Sequence, residues 1–77
     1  MSVVLETQDS REVVEVAEEY LRKSPYSTIR SLVCEYDGGV LLLRGQVPSF
    51  YDKQLAQEAV SRVGGVVQIV NHVEVVE

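Results

Sequence analysis

The chain has 77 residues, 45% of them hydrophobic and 25% charged, with a formal net charge of −5. That is room for one domain around one small core, too apolar for disorder, and without the basic excess that neutralises nucleic-acid phosphates. A single cysteine, Cys34, excludes an intrachain disulfide. The N-terminal run Val3-Val4-Leu5 has no basic lead and is shorter than a signal-peptide core, and no stretch reaches the length of a membrane span. The expectation is a cytoplasmic chain or a domain excised from an envelope protein.

Residues 1–8 read as a flexible lead and residues 9–77 as one domain. Asp9 or Ser10 is expected to cap a first helix, with Glu12 at capping-box spacing from Asp9. Val13, Val14, Val16, Ala17, Tyr20 and Leu21 then recur at helical intervals and form one apolar face. Glu12, Glu15, Glu18 and Glu19 fall on the solvent side, where Glu18–Arg22 and Glu19–Lys23 are spaced as favourable i, i+4 pairs. Pro25 disfavours helical geometry at Ser24 and ends the helix.

From Ile29 to Tyr36 the apolar period becomes two, with Leu32, Cys34 and Tyr36 sharing a face. Asp37-Gly38-Gly39 predicts a hairpin turn, because glycine tolerates the positive φ such turns need. Val40–Val47 predicts the second strand, with Leu41, Leu43, Gly45 and Val47 on one face and Val40, Leu42, Arg44 and Gln46 on the other; Pro48 closes it. Ser49 is placed to cap a second helix whose apolar stripe is Leu55, Ala56, Ala59, Val60 and Val63. Gly64-Gly65 is expected to end that helix with a left-handed cap. A last strand, Val66–Val76, alternates Ile69, Asn71, Val73 and Val75 with Val70, His72, Glu74 and Val76.

These elements predict an α+β fold in the order αββαβ, with two helices packed on one face of a three-stranded mixed sheet. A right-handed crossover makes the third strand parallel to the second and the strand order 1-2-3.

The order and spacing carry a family resemblance. Gly39-x-Leu41-x-Leu43-x-Gly45-x-Val47, a helix bearing Ala56 and Ala59, and Gly65-Val66-x-x-Ile69-x-Asn71-x-Val73-x-Val75 together resemble the BON domain. The likeness spans roughly residues 10 to 76. BON domains are bacterial modules of osmotic-stress, secretin-type and mechanosensitive-channel proteins. The resemblance implies a non-enzymatic module that associates with phospholipid membranes or other envelope proteins, commonly in tandem copies. That family has no standard ligand residues, so none is carried over.

No residue constellation points to catalysis. Neither Gly38-Gly39 nor Gly64-Gly65 continues into a phosphate-binding motif, so turn and cap are their expected roles. Gly45 is expected to let the second helix approach the sheet. Cys34 and His72 lie on different strands and point to opposite faces, and a zinc site needs more ligands than two. No metal and no cofactor are expected. Asn71 is inward and is expected to satisfy backbone groups near a strand or helix end.

What remains is the face of the sheet turned away from the helices. Val33, Val40, Leu42, Val70 and Val76 all point there by alternation and make the candidate interaction face. The partners expected are another protein domain or a second copy of the module, with at most weak contact to phospholipid and none to nucleic acid. The chain is expected to be a monomer or a weak homodimer.

Overall fold

A computed structural model describes residues 10–76. The predicted lead over 1–8 and a cap at Asp9 lie outside the described residues. The order is α1 (Ser10–Arg22), α2 (Ser27–Arg30), β1 (Val33–Asp37), β2 (Val40–Val47), α3 (Phe50–Ala59) and β3 (Gln68–Val75). Among the described residues the fold is α+β with three helices, one more than expected, and a mixed sheet in the order β1-β2-β3. β1 and β2 are antiparallel, and β2 and β3 are parallel, as the crossover predicts.

The helical face of α1 is narrower than its sequence suggests. Val13, Ala17 and Leu21 are buried, while Val16 and Tyr20 each keep 39% of their surface. After Pro25 the chain makes a single helical turn where the strand was expected to begin. Tyr26 N–H donates to Ser24 Oγ (3.1 Å), and Arg30 Nη1 donates to Ser24 O (2.9 Å), closing the link between α1 and α2. Ile29, read as a strand residue, is a fully buried core residue on that turn. The strand itself starts at Val33.

Asp37 pairs with Val40 across the hairpin, and Gly38 and Gly39 take φ of 56° and 89°. Both values lie in the left-handed region, as a two-residue primed turn requires. Ser49 caps α3 as expected, its Oγ accepting the Asp52 N–H at 3.2 Å. The other end differs. α3 stops at Ala59, and Val60, Ser61 and Val63 donate to Gln57, Glu58 and Val60 in tight i→i−3 turns. Gly65, at φ 89°, shapes the loop beyond and does not cap the helix. The last strand is correspondingly shorter than Val66–Val76.

Leu21, Ile29, Leu41, Leu43, Val47, Val60 and Val73 are all buried in one cluster, together with Val13, Ala17, Leu32, Cys34, Ala56 and Val63. Each large aliphatic side chain in it contributes roughly 1.5–3 kcal/mol of transfer free energy. Gly45 serves this core, although not by admitting α3. Its φ is 139°, and a Cβ there would overlap Leu32 Cδ2, so the close neighbour is the segment entering β1.

Candidate interaction face

The register decides which outward residues meet. Leu42 of β2 stands opposite Glu35 of β1 and Val70 of β3; Val40 stands opposite Asp37 and Gln68. Val40, Leu42 and Val70 are therefore neighbours, each half-buried, at the hairpin end of the open face. Val33 pairs with Arg44 and sits 50% exposed at the β1 edge, one row away. Val76, 40% exposed, follows β3 beyond the Gln46–Glu74 row and does not join the cluster. Three of the five predicted residues thus form a patch.

The rest of this face is polar and internally partnered. Arg44 Nη1 lies 2.6 Å from Glu35 Oε2, a pair more than half exposed on both sides and so worth little to stability. Gln46 Nε2 donates to Glu74 Oε1 at 3.2 Å. Glu35 stands next to Leu42, and the Gln46–Glu74 pair lies two rows further along, so polar side chains take over the face beyond the patch.

Asn71 behaves as expected of an inward amide. Its Nδ2 donates to Lys53 O (3.0 Å) and Gln57 Oε1 (3.2 Å), and its Oδ1 accepts the Val73 N–H (3.2 Å). It ties α3 to β3 and has a role in packing.

Glu18 departs from its expected place. It is turned inward, and its Oε2 accepts the Cys34 N–H at 3.1 Å. The anticipated ion pairs with Arg22 and Lys23 do not form from Glu18 and Glu19; Lys23 Nζ lies over the Tyr20 ring at 5.7 Å. Burial, reinforced by the Glu18 charge, pushes the Cys34 thiol up from 9.0 to about 12. The thiolate is the reactive form, so the buried Cys34 is poorly suited to nucleophilic work. His72 is exposed on the open face beside Arg44 of β2. Among the described residues no cluster of His, Cys, Asp and Glu could hold a metal ion.

Two exposed aromatics escaped the sequence reading. Phe50 and Tyr51 keep 72% and 63% of their surface at the start of α3, and Lys53 Nζ lies 6.0 Å from the Phe50 ring. Their position in the first turn, ahead of the Ala56–Val60 stripe, was the available signal.

An α+β module with a partly apolar sheet face bordered by polar side chains has the form of a binding domain. The BON domain model matches residues 12–77. The chain belongs to the BON domain family, which is a family of non-catalytic binding modules. No curated protein sequence matches the chain.

Proposed function

We propose that the domain docks another protein through its open sheet face, with Leu42 and Val70 at the centre of the contact. The observation that carries this reading is the side-by-side placement of Leu42 and Val70, with Val40 next to them, on the surface facing away from all three helices. Contiguous apolar side chains there have no core to serve, and covering each one fully is worth roughly 1.5–3 kcal/mol. A photoreactive residue at position 40 should give a discrete protein adduct in cells expressing the chain. Leu42→Lys in the same chain should abolish it, and a probe at Gln54, exposed on α3, should give none. Equal labelling from positions 40 and 54 would remove the open face as the docking surface.

A second reading, direct contact with phospholipid, rests on Phe50, Tyr51 and Lys53. Exposed rings beside a cation suit the boundary between headgroups and acyl chains. One lysine adds only about 1 kcal/mol of attraction to an anionic surface, and the chain as a whole carries −5. Binding to phosphatidylglycerol vesicles should therefore be weak and should not strengthen as salt is lowered. Tight sedimentation that salt reverses, and that Phe50→Ser with Tyr51→Ser leaves intact, would refute the aromatic tip.

A further inference from the structure

The two edges of the sheet differ. At β1 the Glu18 carboxylate of α1 occupies the outward Cys34 N–H. At β3 the neighbouring helix α3 packs on the inward Asn71 side chain, and among the described residues it takes no outward backbone group of the strand. Gln68 N–H donates to Gly39 O and Val76 N–H to Val47 O, at 3.2 and 2.8 Å. Even-numbered residues of β3 therefore turn their backbone groups to β2, and Ile69, Asn71, Val73 and Val75 turn theirs outward. Among the described residues the only side chain on this outward row is the Asn71 Oδ1 at the Val73 N–H. The strand is eight residues long and has no proline, lysine or bulge to discourage pairing.

We propose that a second copy of the chain covers this edge. The two β3 strands pair antiparallel about a two-fold axis at Val73, with the open faces on the same side. Complementarity selects the copy and the register. In this register Glu74 of each chain stands opposite His72 of the other, and Val70 stands opposite Val76. A slip of two residues one way sets His72 against His72 and Glu74 against Val70; a slip the other way sets Glu74 against Glu74. The proposed register alone matches both the polar Glu74–His72 pair and the apolar pair, and the two-fold axis makes each pair twice. It also gives Val76, 40% exposed in the single chain, an apolar partner across the interface. The Val73 N–H exchanges Asn71 Oδ1 for a backbone carbonyl, while Asn71 keeps its bonds to α3. The product is a six-stranded sheet in which the Leu42–Val70 patches of both copies share one surface.

Sedimentation velocity on the full chain, from micromolar to millimolar concentration, tests this pairing. The wild-type chain should dimerise. His72→Glu, an exposed change that places two carboxylates opposite each other twice, should weaken dimerisation by about tenfold or more. His72→Arg should tighten it. Val75→Pro removes an outward N–H that β2 does not use, and it should give a monomer. Leu42→Lys, which disables the open-face patch, should leave the dimer in place. A wild-type chain that remains monomeric at millimolar concentration overturns the pairing. So does a dimer that dissolves with Leu42→Lys and withstands His72→Glu, because that dimer would be held face to face.

Discussion

Glu18 Oε2 and the Cys34 amide meet at 3.1 Å, so that a helix side chain closes the outer edge of β1. The bond joins positions 16 apart in sequence and satisfies a half-buried donor that no strand reaches. A hydrogen bond to a charged group is worth about 1.5–3 kcal/mol, and leaving the donor unpaired adds its desolvation cost. Glu18→Ala should lower the unfolding free energy by roughly 1–3 kcal/mol, whereas Glu18→Gln, which keeps an acceptor, should lose less. Urea unfolding of the pair measures the difference. Equal losses would show that the packing of the stem matters and the acceptor does not.

Leu43 is fully buried beneath the helices, in the same cluster as Val60. Leu43→Ala should cost about 2–5 kcal/mol, a large part of the roughly 5–15 kcal/mol available to a domain. The expected readout is a clear fall in the denaturant midpoint with an unchanged slope.

Gly45→Ala should also be destabilising, for a different reason. Backbone at φ 139° is open to glycine and poorly accessible to other residues, and the added methyl meets Leu32. A cost of about 1–3 kcal/mol from strain alone is expected. In a double-mutant cycle with Leu32→Ala, Gly45→Ala should cost less in the Leu32→Ala background, and the remaining cost should be the part due to φ.

Leu42→Lys should leave stability within about 1 kcal/mol of the parent, since surface changes away from caps and buried networks are mild. Thermal unfolding by circular dichroism checks this. Wholesale unfolding would mean that Leu42 serves the core.

The Cys34 thiol sets a pH dependence whose sign follows from its environment. Its folded value, about 12, lies above the ordinary 9.0. The folded state therefore holds the proton after the unfolded chain has released it, and stability is lost as pH rises from near 9 toward 12. Comparing wild type with Cys34→Ala over this range isolates the effect from lysine and tyrosine titration, and the wild-type slope should be the steeper. At neutral pH the thiol should react with a disulfide reagent only at the rate of opening.

The legible parts of the fold were those that local chemistry decides. Gly38-Gly39 and the alternation of Leu41, Leu43 and Val47 defined the hairpin and β2, and Ser49 marked the start of α3. The short helix α2 was not legible, because Ser27-Thr28-Ile29-Arg30 contains two β-branched residues that read as strand. Its helical turn depends on tertiary contacts: the burial of Ile29 and the reach of Arg30 to Ser24. The end of α3 was misplaced because Gly64-Gly65 outweighed the tight turns around Val60 and Ser61. Alternation found the residues of the open face. Their grouping required the strand register, which places Leu42 beside Val70 but Val33 beside Arg44.

The β2–β3 ladder also governs the order in which the chain can assemble. The hairpin joins neighbours in sequence and can close within microseconds. Residues of β2 and β3 that face each other, such as Gln46 and Glu74, are 28 positions apart. That closure must await α3, and it carries the greater share of the loop-entropy cost. Until β3 arrives, β2 has a bare edge, and the aliphatic row of Leu41, Leu43 and Val47 lacks its cover from Val73. A nascent chain held at that stage is an exposed two-stranded ribbon, the species most prone to misassociate, and slow synthesis through residues 60–76 would lengthen its lifetime.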